Sequence, residues 1–238
     1  MEIEIITQIL EGVRSALLLI GLFLSVKAVK ALVQHESTER MHLIKKNVFV
    51  WLMWGMFFLV IATVGKNISL TVGATSLVGD GFLIVHYFFF LLAFSYFWKS
   101  SGKLHQLSQR EKIFLVGVIC LVLIGVVYLI YSLILPGETS GKGLEKVLHW
   151  LYPIIVSILF LSTYSVRSRV RAKLIDRSLW YISNGVFFYF LGYICFSYVY
   201  FSGSKLPYLP LIYTFLFIIS AGYYVLGFLV ARKKIGKD

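Results

Sequence analysis

The sequence predicts an all-α membrane protein, a bundle of seven transmembrane helices. Hydrophobic residues make up 59% of its 238 residues and charged residues only 14%, whereas charged residues are about a quarter of a soluble domain. The mean hydropathy of +0.84 is far above the soluble range. A membrane-crossing helix needs about 20 mostly apolar residues, and such runs recur along the chain. We therefore predict a multi-pass integral protein of the cell membrane.

Short polar or glycine-containing segments set the predicted limits of each span. The first run follows an acidic start, MEIEIITQILEG, where a secretory signal would be basic, so we expect a true span that ends before QHESTER. The second ends before KNISLTVGATSLVGD, the third before SSGKLHQLSQRE and the fourth before PGETSGKG. The fifth ends before RSRVRAKLID, and SGSKLP separates the sixth from the seventh. The predicted spans are Ile6–Val33, Asn47–Val64, Gly81–Lys99, Ile113–Leu135, Leu148–Val166, Leu179–Phe201 and Leu209–Ala231.

None of these segments is long enough to form a second domain, so residues 1–238 are predicted to be a single transmembrane domain. Eighteen of the 23 Lys and Arg residues fall on one side of this topology. Because such cations accumulate on the cytoplasmic side, the N-terminus is predicted outside and the C-terminus in the cytoplasm. The cations lie in short loops, so the net charge of +12 does not predict nucleic-acid binding.

Two pairs of similar phrases suggest an internal repeat. LFLSVKAVK (Leu22–Lys30) closes the first span and LFLSTYSVR (Leu159–Arg167) closes the fifth. WLMWGMFF (Trp51–Phe58) and YISNGVFF (Tyr181–Phe188) share a first aromatic and a final G-x-F-F in the second and sixth. We expect a 3+1+3 plan, with parallel repeats 6–99 and 148–231 joined by helix 113–135; chance similarity of apolar helices is the alternative. Such repeats recur in transporters, but they predict architecture more than activity.

Ionisable residues at membrane depth are functional candidates, because lipid penalises them. Glu11 and Arg14 are three residues apart and share a helix face, so they can pair. That pair is either structural or one wall of an outward-facing pocket. His86, in the outer third of the third span, and His149 are predicted on the same side, but no third metal ligand follows. The sequence favours a hydrogen-bonded polar group over a metal or haem ligand at His86.

Polar and aromatic residues of the last two spans complete the candidate site. Asn184 is suited to interhelical hydrogen bonding. Thirteen of the 15 tyrosines lie at or after Tyr128. Such hydroxyl-bearing aromatics either pack the interior or line a cavity for a largely apolar ligand. The candidate pocket tyrosines are Tyr189, Tyr193, Tyr213, Tyr223 and Tyr224.

The basic run RSRVRAKLIDR is either ordinary positive-inside topology or a contact for anionic lipid or a cytoplasmic protein. Its candidate contact residues are Arg167, Arg169, Arg171 and Lys173. Retinal proteins carry a lysine in the middle of the seventh helix, but this region reads FLFIISAGYYVLG, so no covalent retinal is predicted. No metal, haem or other cofactor is predicted, and no catalytic motif predicts an enzyme.

These features favour a non-enzymatic, receptor-like sensor that has a pocket in its outer half and signals through a cytoplasmic partner. The alternative is a small transporter or channel for a neutral solute, built from two triple-helix repeats. A pocket closed at its inner end favours the sensor, whereas a continuous or midplane path favours transport.

Overall fold

Six helices make up the part of the chain that the structure, a computed structural model, describes. The described residues are 2–34, 40–72, 77–100, 109, 113, 116–117, 151–152, 154–163, 177–202 and 208–235. The helices are α1 (Glu2–Gln34), α2 (Arg40–Val72), α3 (Leu77–Ser100), α4 (Ile154–Thr163), α5 (Arg177–Ser202) and α6 (Leu209–Ile235).

Five helices, all but α4, are long and apolar enough to cross a membrane, which indicates an integral membrane protein. In lipid, a helix satisfies its backbone donors and acceptors internally, so apolar runs of this length fold as helices. Large apolar side chains remain on their outer faces, including Phe23 and Ile9 of α1. The predicted span Ile113–Leu135 lies almost wholly outside the described residues, and the fifth is described over residues 151–152 and 154–163. The count of seven therefore stays a prediction.

The sequence places both ends of α2 and the start of α3 wrongly. The segment from Lys66 to Asp80 was expected to be a loop, but α2 continues to Val72 and α3 already begins at Leu77. Its Ser, Thr, Asn and Gly residues resemble a loop because they are polar or small. The described residues of this segment belong to α2 and α3, and Lys66 pairs with Asp80 between the two helices. At the other end, α2 begins at Arg40, seven residues before the predicted start.

The packing order brings both chain halves together. Helix α1 lies between α2 and α6, while α3 packs along α2 and α5 packs along α6. Aromatic contacts join these two halves: Tyr87 of α3 meets Tyr189 and Tyr193 of α5 at ring-centroid distances of 6.2 and 6.3 Å. Helix α4 stacks Phe160 on Phe190 of α5 at 5.1 Å.

Glycines create two matching contacts between neighbouring helices. On α2, a Cβ at Gly55 would lie 2.4 Å from Phe90, and the Gly55 carbonyl lies 2.9 Å from His86 Nδ1. On α5, a Cβ at Gly185 would lie 2.6 Å from Tyr224. The Gly185 carbonyl accepts a 2.7 Å hydrogen bond from Ser220. In each case the polar residue lies four positions before the aromatic ring.

The two aromatic rings of these contacts meet each other. Phe90 and Tyr224 have centroids 5.6 Å apart at an interplanar angle of 72°. The phrases LFLSVKAVK and LFLSTYSVR differ in burial. At their second position, Phe23 is 59% exposed and Phe160 only 1%. The glycine contacts are alike in the two pairs of helices, whereas the phrase Leu22–Lys30 differs from its counterpart in burial, and the repeat stays a prediction.

The half of the bundle where α1 and α6 end is tightly packed among the described residues. Phe49 of α2 meets Phe228 of α6 edge-on, with centroids 5.9 Å apart. Ala28, Leu32 and Ala231 close the same region and are 0–1% exposed. The opposite half, where α1 and α6 begin, contains the polar side chains described next.

Candidate functional site

A cavity of about 770 Å³ opens between α1, α2, α3, α5 and α6, near the start of α1. Its volume lies within the range of small-molecule sites, roughly 300–1,000 Å³. Polar residues and a smaller aromatic set share its wall. The polar residues are Thr7, Gln8, Glu11, Arg14, Thr63, Lys66, Asn67, Tyr193 and Tyr213, and the aromatic pair is Phe196 and Phe217.

Glu11 and Arg14 form the ion pair that their spacing predicts. Arg14 Nη1 lies 3.0 Å from Glu11 Oε2 and 3.4 Å from Oε1. Glu11 Oε1 also accepts a 3.4 Å hydrogen bond from Thr214 of α6. The Arg14 guanidinium carbon lies 4.5 Å from the centroid of Phe217, a cation–π contact. The pair therefore faces the cavity and joins α1 to α6.

A second ion pair was missed by the sequence prediction. Lys66 Nζ of α2 lies 2.6 Å from Asp80 Oδ1 of α3, and the Asp80 side chain is fully buried. Gly79 allows this approach, because a Cβ there would lie 2.8 Å from Lys66 Cγ. Lys66 lines the cavity. Nothing in the sequence connects two residues fourteen positions apart across an apparent loop, so only the α2–α3 geometry reveals the pair.

Asn67 holds the cavity wall between α1 and α2. Its Nδ2 donates to Ser15 Oγ at 3.3 Å, and Ser15 in turn donates to the Glu11 carbonyl at 2.8 Å. The Asn67 hydrogen bond joins α1 to α2 at Ser15, one helical turn after Glu11.

On the side of the cavity away from the start of α1 lies a tyrosine cluster, which consists of Tyr87, Tyr152, Tyr189 and Tyr193. Tyr193 lines the cavity and contacts the other three, with centroid distances of 5.1 to 6.3 Å. All four rings are at least 95% buried. The sequence predicts Tyr189 and Tyr193 as pocket residues, but their partners Tyr87 and Tyr152 were missed, because their helices carry no visible tyrosine stripe.

His86 adjoins the tyrosine cluster rather than the cavity. Its ring lies 5.2 Å from that of Tyr87 and 6.1 Å from that of Tyr189. Its Nδ1 lies 2.9 Å from the Gly55 carbonyl, so Nδ1 carries the donated proton. Nε2 is buried, and within the described part of the chain it has no hydrogen-bond partner.

The structure distributes the predicted residues over three places. Glu11, Arg14, Tyr193 and Tyr213 line the cavity, and His86 and Tyr189 lie below it. Asn184, Tyr223 and Tyr224 lie farther along α5 and α6: Asn184 is buried beside Gly185, Tyr224 packs on Gly185, and Tyr223 stacks on Phe188. His149, Arg167, Arg169, Arg171 and Lys173 lie outside the described residues.

Chemically, the cavity combines charged hydrogen-bonding groups with aromatic surface, a combination suited to holding a small amphipathic molecule. Within the described ranges, no three His, Cys, Asp or Glu side chains are grouped so as to hold a metal ion. Comparison with protein-family models, with curated proteins and with solved structures finds no match in any of the three. Function is therefore inferred from the site's geometry.

Proposed function

We propose that the protein is a receptor-like sensor of the cell membrane whose ligand occupies the cavity near the start of α1. The observation that carries this proposal is that an ion pair within α1 and the lysine of an ion pair between α2 and α3 line one cavity of small-molecule size. Ionisable groups are costly in a membrane protein, and Glu11, Arg14 and Lys66 on the wall of one cavity favour binding over simple packing. In the orientation that the cation distribution predicts, this cavity opens on the outer side.

Occupancy reaches the rest of the bundle through the tyrosine cluster. A ligand that displaces Tyr193 also moves Tyr87 and Tyr189, which it contacts. Those rings contact His86 of α3, whose hydrogen bond to the Gly55 carbonyl joins α3 to α2. Because packed aromatic interiors respond by discrete shifts rather than continuous deformation, this route couples the cavity to helix packing. The signal then passes to a cytoplasmic partner or anionic lipid at the basic segment Arg167–Lys173.

The packed half of the bundle supports a pocket closed at its inner end. Ala28, Leu32, Phe49, Phe228 and Ala231 lie in the described part of that half and are at most 1% exposed. A channel would require a polar path there. Among the described side chains, the charged residues that line the cavity lie at the other end.

The sidedness of cavity access tests the proposal. In a background with Cys120 and Cys195 replaced by Ala, Thr63→Cys introduces a thiol into the cavity wall. We expect a membrane-impermeant thiol reagent to label it in proteoliposomes from the side where α1 begins and not from the other. Ala93→Cys is the control, because Ala93 is fully buried and does not line the cavity. Failure to label Thr63→Cys from either side would overturn the proposal.

Transport of a neutral solute is the second candidate, and the paired glycine contacts favour it. Gly55 with His86 and Phe90 matches Gly185 with Ser220 and Tyr224, as two repeats of a 3+1+3 plan would. Transporters of this kind bind between their repeats and open alternately to each side. Labelling of Thr63→Cys from both sides, together with solute flux into proteoliposomes, would show that the protein is a transporter and would overturn the sensor proposal.

A further inference from the structure

The hydrogen-bonding capacity of the cavity wall is unbalanced toward donors. A guanidinium has five N–H donors, yet only Nη1 of Arg14 bonds to Glu11. Among the described residues, Arg14 Nε and Nη2 have no acceptor. The ammonium of Lys66 has three donors, and its one carboxylate partner in the described chain is Asp80. Both cations line the cavity, so these unused donors are available there.

The carboxylates of the same wall are already engaged. Both oxygens of Glu11 accept from Arg14, and Oε1 also accepts from Thr214. Asp80 is fully buried behind Lys66 and does not line the cavity. A cationic ligand would therefore meet two cations and an occupied carboxylate, whereas an oxyanion would meet several unused donors.

Aromatic surface lies beside these donors. Phe217 faces the Arg14 guanidinium at 4.5 Å, and Tyr213 meets Phe196 edge-on at a centroid distance of 5.4 Å. An apolar body held against these rings would leave its charged end beside Arg14. Planar guanidinium donors suit a carboxylate or phosphate, which accepts two parallel hydrogen bonds.

We propose that the ligand of this cavity is an amphipathic oxyanion. Its carboxylate or phosphate binds Arg14 and Lys66, and its apolar body packs on Phe196, Tyr213 and Phe217. This inference rests on the proposed function, since it names the chemical class that the sensor pocket takes. The oxyanion reaches the cavity either from water, as a small organic acid, or from the bilayer, as an acidic lipid.

Matched probes test the charge requirement. The unfolding temperature of the full chain in phosphatidylcholine nanodiscs is measured as each of three probes is added up to millimolar concentration. The probes are the anionic 4-phenylbutyrate, its neutral amide and the cationic 4-phenylbutylamine. We expect the carboxylate alone to raise the midpoint, by about 3 °C at ten times its dissociation constant. A second arm compares dioctanoyl phosphatidate with dioctanoyl phosphatidylcholine. A response to the phosphatidate alone supports the proposal and assigns the oxyanion to the bilayer.

Variants locate the effect at the cavity. Arg14→Gln is expected to raise the dissociation constant of 4-phenylbutyrate about tenfold or more, because a charge-assisted hydrogen bond is lost. The double change Glu11→Gln with Arg14→Gln avoids an unpaired carboxylate and should lose the response while remaining folded. Lys30→Gln removes an exposed cation at the far end of the same helix and should leave the response intact.

The outcomes separate this inference from the proposed function. If the amide or the amine stabilises the protein as well as the carboxylate does, the pocket stands and the oxyanion inference fails. If no probe shifts the midpoint while Thr63→Cys is labelled from one side, the oxyanion inference again fails and the sensor proposal survives. If Thr63→Cys is also inaccessible, both fail.

Discussion

At the scale of single residues, local spacing predicts what happens within one helix and little of what happens between helices. Glu11 and Arg14 lie one turn apart, so their ion pair is visible in the sequence and is present in the structure. Lys66 and Asp80 lie on different helices, and their pair depends on the close approach at Gly79. Of the three charged residues that line the cavity in the described chain, the sequence predicts Glu11 and Arg14 and misses Lys66.

Loss of the Lys66 cation should destabilise the protein. Lys66→Ala leaves the fully buried Asp80 carboxylate without the cation 2.6 Å away. Removing one partner of a buried ion pair costs about 3 kcal/mol, because the other charge stays in a low dielectric. Equilibrium unfolding in mixed micelles measures this loss.

The control for that measurement is Lys30→Ala, which removes an exposed cation elsewhere. Lys66→Ala with Asp80→Ala removes both charges and should recover part of the lost stability. Equal stability of Lys66→Ala and Lys30→Ala would show that the pair contributes nothing.

At the scale of helices, apolar length predicts existence well and boundaries less well. The predicted first, second, third, sixth and seventh spans each correspond to a long apolar helix. The segment after Val64 was expected to be a loop because polar residues replace apolar ones. Two of those residues, Lys66 and Asn67, line the cavity instead. A polar helix face toward a cavity and a polar loop have similar compositions, so sequence alone does not separate them.

The two glycine contacts should be equally intolerant of a side chain. Gly55→Ala would place a methyl group 2.4 Å from Phe90, and Gly185→Ala would place one 2.6 Å from Tyr224. Relief requires the rings and helices to shift, at a cost of about 1–3 kcal/mol for each variant. Unfolding in micelles measures both.

Gly222→Ala on α6 is the matched control, because its added Cβ would meet nothing within 4 Å. It should be neutral or slightly stabilising, since alanine favours helix over glycine. If Gly55→Ala and Gly185→Ala are as stable as this control, α2 does not pack closely on α3 at Gly55, nor α5 on α6 at Gly185.

At the scale of the whole molecule, composition predicts a membrane helical bundle, and its five long apolar helices agree. Composition cannot predict the division into a packed half and a half with a cavity, because apolar residues cover every helix. That division arises from which residues meet: Phe49 with Phe228 at one end, and Glu11 with Thr214 at the other. The number of spans, their orientation and the repeat rest on the sequence pattern and remain predictions.

The central claim is that occupancy of the cavity changes the packing at the opposite end of the bundle, and one distance measurement tests it. Gly12 lines the cavity, and its added Cβ would meet nothing within 4 Å, so Gly12→Trp adds a bulky side chain at the cavity wall without a ligand. Spin labels at Lys30→Cys on α1 and Arg177→Cys on α5 report the opposite end by pulsed electron spin resonance, in the background with Cys120 and Cys195 replaced by Ala.

Gly222→Trp is the control, since Gly222 does not line the cavity. We expect Gly12→Trp to shift the Lys30–Arg177 distance distribution by about 1–2 Å or more, the scale of helix shifts in switching proteins, and Gly222→Trp to leave it unchanged. An unchanged distribution in Gly12→Trp would contradict the sensor, because a bulky group at the cavity would then have no effect on the end that signals.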